Sequence, residues 1–191
     1  MTPSLVILDR DNTLVRVPTG VRYLYGEDPI VLLPGVGPAL RHLARRGIRC
    51  VVATNQQGVS MKKFPKMTID SVAVFNHRLD LRVEQEGGRI DRFYVCPHLD
   101  DEDCNCRKPR PGLFIMALRD YNIAPTQAVG IGNSQSDVDA ATAAGIQSIS
   151  VPYPPGTQPP EDHPAYRTLL HAVRAICGGS GNCGRIQPAE S

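Results

Sequence analysis

Leu5-Val6-Ile7-Leu8-Asp9-Arg10-Asp11-Asn12-Thr13 is the stretch whose reading decides the fold. Four consecutive apolar residues run without alternation straight into two carboxylates. A strand apolar on both sides is buried on both sides, and strands of that kind belong to parallel sheets covered by helices. The pattern recurs. Ile48 to Ala53 is a second run, broken only by Arg49 and ending at Thr54-Asn55; Phe93-Tyr94-Val95 is a third strand; Ala128 to Ile131 a fourth, ending at Gly132-Asn133; and Ile146 to Val151, with Gln and Ser among its apolar residues, a fifth. Between them apolar residues space as helices. Val36, Leu40, Leu43 and Ala44 form one, stopped by Gly47. Thr68 caps a second that carries Ile69, Val72, Phe75, Leu79 and Val83 and stops at Gly87-Gly88. Pro111-Gly112 opens a third through about Tyr121, and Ser136 caps a short Ala-rich fourth that stops at Gly145. This alternation predicts an α/β protein with a parallel sheet and helices on both faces. In such sheets the ligand binds beyond the carboxyl ends of the strands.

Outside the alternation, residues 14–34 form a Pro/Gly-punctuated loop too long to be a simple connector. Residues 152–164 are Pro-rich and read as an extended linker. Tyr166, Leu169, Leu170, Val173 and Ile176 then space as an amphipathic helix that docks on the sheet. One domain over 1–177 is expected, followed by a Gly-rich, polar tail over 178–191 expected to be disordered.

Composition narrows the function. The 191 residues carry a net charge of +2 with 21% charged residues, and there is no Trp. That leaves neither the basic stripe of a nucleic-acid binder nor the aromatics of a base-stacking surface. The N-terminus Met1-Thr2-Pro3-Ser4 has no basic leader, and no apolar run is long enough to cross a membrane. A cytoplasmic monomer acting on a small molecule is the expectation. Of six cysteines, Cys50 sits in the second apolar run as a buried thiol, and Cys177 and Cys183 lie in the Gly-rich stretch where the domain passes into the tail and could pair, bind metal or stand idle.

The remaining cysteines belong to Cys96-Pro97-His98-x5-Cys104-Asn105-Cys106-Arg107-Lys108-Pro109. Cys-x-His and Cys-x-Cys each put two soft ligands on one tight turn, and the spacer lets the turns face each other. A Cys3His set fills a zinc tetrahedron and leaves no open position, so such a zinc is structural. It would fix the residues that follow, Arg107 and Lys108.

Four polar clusters lie at strand ends. Asp9 and Asp11 are two carboxylates that can divide labour between nucleophile and proton carrier, although the same residues would serve an ordinary polar turn. Asn12 tolerates the left-handed backbone of a sharp turn. Thr54-Asn55-Gln56 offers a hydroxyl, an amide and backbone N–H groups to phosphate oxygens, or forms a capped turn. Lys108 can screen carboxylates and neutralise a phosphoryl group. Asn133 and Asp137 offer oxygen ligands to a hard cation.

In order and spacing these clusters resemble the four motifs of the haloacid dehalogenase (HAD) superfamily of phosphohydrolases, over residues 4–151. The zinc-type loop resembles that of the heptose bisphosphate phosphatases and the related histidinol-phosphate phosphatases. The resemblance implies a Rossmann-like HAD fold without a large cap domain, a zinc loop over 96–111, and a Mg2+-dependent phosphomonoesterase. Its substrate would be a small phosphorylated metabolite, foremost a sugar phosphate such as heptose 1,7-bisphosphate, with histidinol phosphate as the alternative. It implies that Asp9 attacks phosphorus and Asp11 moves the proton. Thr54, Asn55, Arg107 and Lys108 would hold the phosphate. Mg2+ would sit on Asp9, the Asp11 carbonyl and the Asn133 and Asp137 positions, and zinc on Cys96, His98, Cys104 and Cys106.

Two departures qualify that expectation. Asn12 stands where the first motif usually has Gly, and Asn133 stands where the last motif usually has a metal-binding Asp. The second predicts weaker Mg2+ binding, and it leaves open a catalytically weak binding protein on the same fold. The five-residue spacer between His98 and Cys104 looks more like the histidinol-phosphate branch. Arg16, Arg22, Tyr23 and Tyr25 are candidates for touching a sugar or second phosphate, and Glu27 and Asp28 for receiving a cationic leaving group.

Overall fold

A computed structural model describes residues 2–159, 163–178 and 185–186. Strands β1 (Leu5–Leu8), β2 (Arg49–Asn55), β3 (Arg92–Cys96), β4 (Ala128–Gly132) and β5 (Gln147–Ser150) form one sheet in the order β3-β2-β1-β4-β5. Every pairing is parallel. Helices α1 (Val36–Arg45), α2 (Ile69–Gln85), α3 (Gly112–Tyr121), α4 (Gln135–Ala143) and α5 (Leu169–Ile176) connect and flank the strands.

The unbroken apolar runs have the physical cause expected of them. Along β1, Val6 and Leu8 enter the core under α1, α2 and α5 with Leu40, Phe75, Leu79 and Val173. Leu5 and Ile7 enter the opposite core under α3 and α4 with Leu113, Phe114, Ala140 and Ala141. All four β1 side chains are fully buried, and each such burial is worth about 1.5–3 kcal/mol. Because β1 is the central strand, its C-terminal end opens at the middle of the sheet.

Thr68 caps α2 as the spacing predicts, in a reciprocal bond with Ser71. The cap of α4 differs from the expectation. Ser134, not Ser136, holds the N-cap, because its side chain and backbone close a capping box with Asp137. The Pro-rich segment is also more than a linker. Its end returns to the sheet edge, where Ser150 N donates to Pro164 O at 2.8 Å and Tyr166 N to Ser150 O at 2.9 Å. Tyr166 is therefore buried before α5 begins at Leu169. The 14–34 loop is anchored from inside by Leu14, Val15, Leu24 and Leu33, all buried. Most of the 178–191 tail, with Cys183 and its suggested pairing, lies outside the described residues. Among the described residues no helix is long and apolar enough to cross a membrane.

Candidate active site

Asp9 still belongs to the sheet ladder, since its N–H donates to Ile131 O at 3.0 Å. The chain then turns sharply: Leu14 and Val15 N–H both return to Arg10 O, at 2.9 and 3.1 Å. Asn12 takes the left-handed backbone this turn demands, with φ 60°. The turn sets Thr13 Oγ1 3.3 Å from Asp9 Oδ2.

Lys108 arrives from the zinc-type loop and is nearly dry, its side chain 3% exposed. Its ammonium donates to Asp9 Oδ1 at 2.7 Å, Asp137 Oδ1 at 2.5 Å and Ala53 O at 2.8 Å. Three N–H donors thus meet three acceptors. Asn55, at the end of β2, clamps the backbone of the same residue. Its amide donates to Lys108 O at 3.0 Å and accepts from Lys108 N at 3.1 Å. On the other side Asp137 accepts from Ser134 N at 3.0 Å and Ser134 Oγ at 2.6 Å. A Cβ at Gly132 would collide with the Asp137 carboxylate, so only glycine lets the end of β4 approach it.

Burial pushes the Asp9 carboxyl up to about 7; Lys108 opposes this, while Asp137 and Asp11 add to it. Burial works against the charge on Lys108, but Asp137 and Asp9 outweigh it and hold the amine protonated above its ordinary range.

The cation ligands fit in part. One amide atom of Asn133 lies 3.3 Å from both Asp9 Oδ2 and the Asp11 carbonyl oxygen. With its nitrogen there, the amide donates to both. With its oxygen there, three oxygens converge and the Thr13 hydroxyl, 3.3 Å from both Asn133 Oδ1 and Asp9 Oδ2, can give its proton to only one of them, which leaves a set suited to a hard cation. Asp137 departs from the expectation that it joins this set. Both its oxygens are engaged, one by Lys108 and the other by the α4 cap, so it anchors the lysine.

Asp11 carries partners that sequence reasoning missed. Arg10, fully buried, grips both its oxygens at 3.0 Å. Gln56, also fully buried, donates to Asp11 Oδ2 and to Thr54 Oγ1, both at 2.8 Å. Since Thr54 Oγ1 accepts there, its own hydrogen is free to point at an incoming phosphoryl oxygen. The only signal in the chain was position: Arg10 lies between the two acids, and Gln56 closes the Thr-Asn-Gln stretch.

Cys96, His98, Cys104 and Cys106 present ligand atoms that all lie within 4.8 Å of one another. Cys96 Sγ is 3.8 Å from Cys104 Sγ and 3.5 Å from His98 Nδ1. A tetrahedron with ~2.3 Å zinc–sulfur bonds has S–S edges of about 3.8 Å; the Cys96–Cys104 edge matches, and the Cys96–Cys106 edge, at 3.2 Å, is shorter. Arg107 turns toward this loop, its Nε donating to Asp100 at 2.6 Å, while Nη1 is buried without a partner. Of the expected phosphate ligands, Lys108 meets Asp9 directly and Thr54 is joined to Asp11 through Gln56, whereas Asn55 is spent on the Lys108 backbone and Arg107 is held at the loop by Asp100. Among the loop candidates, Tyr23 is buried against Phe64 and Arg16 is exposed.

A sheet with paired acids past its central strand, a lysine from a later loop and an oxygen cluster past the fourth strand defines a class of phosphoryl-transfer hydrolase. Residues 8–145 match the model of the haloacid dehalogenase-like hydrolases, and the chain belongs to that family. It is 33% identical over 148 residues to the D-glycero-beta-D-manno-heptose-1,7-bisphosphate 7-phosphatase of Pseudomonas putida, covering 78% of this chain and 82% of that one. It is 30% identical over 150 residues to the histidine biosynthesis bifunctional protein HisB of Blochmanniella floridana, covering 78% of this chain but 41% of that one. The fold matches the D,D-heptose 1,7-bisphosphate phosphatase of B. bronchiseptica, solved with magnesium and phosphate. The TM-score is 0.80 at 26% identity, covering 91% of this chain and 98% of that one.

Proposed function

We propose that this protein is a Mg2+-dependent phosphomonoesterase that removes the 7-phosphate of a heptose 1,7-bisphosphate through an aspartyl-phosphate. The observation that carries the reading is the Asp9 carboxylate, with one oxygen on Lys108 and the other beside Asn133 and the Asp11 carbonyl. Asp9 Oδ1 would attack phosphorus, forming an O–P bond as the bond to the sugar oxygen breaks. Asp11 would give its proton to the departing oxygen, then take one from the water that cleaves the acyl phosphate and returns Asp9. The Thr54 hydroxyl would hold one phosphoryl oxygen, and Lys108 would turn to another the N–H that Asp9 Oδ1 gives up as it bonds to phosphorus. Asp9, Asn133 and the Asp11 carbonyl would hold Mg2+, which when bound neutralises charge on the phosphoryl group. Arg107 would reach the substrate by exchanging its Asp100 partner for a phosphoryl oxygen, and zinc on Cys96, His98, Cys104 and Cys106 would be structural.

The sugar branch is favoured over histidinol phosphate by the basic groups beside the site. A cleft of about 540 Å³ beside Thr13 presents Arg16 and Arg167, groups suited to a second anionic substituent. Of the acids that could receive a cationic leaving group, Asp28 already accepts from Tyr25 N and Glu27 faces Arg78. A cytoplasmic monomer completes the proposal; sedimentation checks the oligomeric part.

The test is Mg2+-dependent phosphate release from heptose 1,7-bisphosphate, hexose phosphates and histidinol phosphate. Preference for the heptose bisphosphate, abolished in Asp9→Asn, is expected. Preference for histidinol phosphate would move the protein to the other branch, and no turnover of any ester would leave a binding protein on this fold.

A further inference from the structure

Arg10 heads the fully buried side chains by volume. A buried charge that is well paired is often no more stable than an apolar residue of similar volume, so stability alone gives little reason to keep one here. Its contacts say what it does. Nε reaches Asp11 Oδ1 and Nη2 reaches Asp11 Oδ2, each at 3.0 Å. Nη1 donates to Asn76 Oδ1 on α2 at 3.0 Å, and Nη2 donates to Leu24 O in the 14–34 loop at 2.9 Å. The guanidinium stacks 4.8 Å over the Phe75 ring. Helix α2, the long loop and the second carboxylate are all referred to one rigid, planar group.

The hydrogen-bond count distinguishes the two oxygens of Asp11. Oδ2 accepts from both Arg10 and Gln56; Oδ1 accepts from Arg10 alone. The side chain as a whole keeps 22% exposure. Oδ2 is therefore saturated, and Oδ1 is the oxygen that retains an acceptor site.

We infer that Arg10 is a positioning residue for proton transfer: it fixes the Asp11 carboxylate so that Oδ1 is the oxygen that exchanges its proton with the leaving group. Through Leu24 O it ties that orientation to the 14–34 loop. The inference rests on the phosphatase reading, with Asp11 as the acid and base. No bond is made or broken at Arg10 itself. Its fork cannot be reproduced by lysine, a point charge unable to span both oxygens.

Leaving-group dependence tests this. An alkyl phosphate ester such as heptose 1,7-bisphosphate needs a proton on the departing oxygen; p-nitrophenyl phosphate does not. The ratio of kcat/KM for the two esters isolates the acid's share of the first chemical step. Asp11→Asn sets the reference and should lower the alkyl ester at least about 100-fold while sparing the activated one. Arg10→Gln should reproduce that selectivity, with an alkyl loss of about 100-fold and a p-nitrophenyl loss under about 5-fold. Arg10→Lys, which keeps the charge and most of the stem, should show the same direction and serves if the glutamine variant does not fold. A selective Asp11→Asn with a uniform or negligible loss in the Arg10 variants would overturn the inference. An unselective Asp11→Asn would overturn the assignment of Asp11 itself, with the nucleophile still testable through Asp9→Asn.

Discussion

Replacing Lys108 by methionine keeps the volume and removes the charge. In the native site the ammonium is the shared partner of Asp9 and Asp137, 2.7 and 2.5 Å away, and satisfies the Ala53 carbonyl. Without it two nearly dry carboxylates face each other, 11% and 5% exposed. Removing one member of a buried ion pair costs about 3–5 kcal/mol, a large part of the ~5–15 kcal/mol that holds a domain folded. The sign with pH follows from Asp9. Burial already raises it to about 7, and Lys108 is the opposing influence, so in Lys108→Met it rises further. A group whose folded value is raised contributes stability that is fully present below its unfolded value, near 3.9 for Asp, and is lost as pH climbs through the folded value. The defect of Lys108→Met should therefore grow between neutral and alkaline pH and shrink toward about pH 5. Urea melts of both proteins across that range measure it. A variant within about 1 kcal/mol of wild type throughout, the range of an exposed pair, would refute the buried-bridge reasoning.

Three further outcomes are expected. Asp9→Asn should retain the fold yet lose phosphate release altogether; residual turnover by the purified variant would dismiss Asp9 as nucleophile. Asn55→Ala removes both bonds to the Lys108 backbone and should cost about 2 kcal/mol, with kcat/KM falling alongside; an unchanged melt would show that the clamp is dispensable. Metal analysis should find one zinc per chain, and Cys104→Ser should lose it and lower the melting temperature. Full stability without zinc would mean that the Cys3His cluster stands on its own.

The fold was legible because the central strands β1, β2 and β4 are apolar on both sides, a pattern that neither a half-exposed strand nor an amphipathic helix produces, while the edge strands β3 and β5 mix in polar residues and follow from the alternation with helices. The strand ends put Asp9, Thr54, Asn55 and Asn133 at the carboxyl edge of the sheet for the same reason: a chain leaving a buried sheet must turn polar there. What periodicity does not encode is which polar groups face each other. Asp137 looked like a metal ligand from its offset to Asn133, but its carboxylate is consumed by Lys108 and Ser134. Arg10 and Gln56 were invisible because full burial of a polar side chain depends on α2 and the 14–34 loop closing over it. The α4 cap was misplaced by two residues because Ser134 and Ser136 both qualify in sequence, and only the reciprocal bond with Asp137 separates them.

The charge of the site makes Asn133 more than a weakened ligand. Whatever protons Asp9 and Asp11 carry, the site balances its acids against Arg10 and Lys108, and an aspartate at position 133 would add one negative charge that the asparagine lacks. Mg2+ would find less attraction here than with aspartate, but the loaded site would be one charge more positive and attract a phosphate dianion more strongly. Metal and phosphoryl group should therefore bind cooperatively, each weak alone, because Mg2+ sites built on few carboxylates complete themselves with phosphate oxygens. Calorimetric titration of Mg2+ into the protein with and without inorganic phosphate tests this. In wild type, phosphate should tighten Mg2+ by about 10-fold or more, a coupling of about 1.4 kcal/mol. In Asn133→Asp, Mg2+ alone should bind more tightly and the coupling should shrink. Equal Mg2+ affinity in both proteins, unaffected by phosphate, would show that the side chain at 133 lies outside the metal's reach and that the three converging oxygens are only a hydrogen-bonded turn.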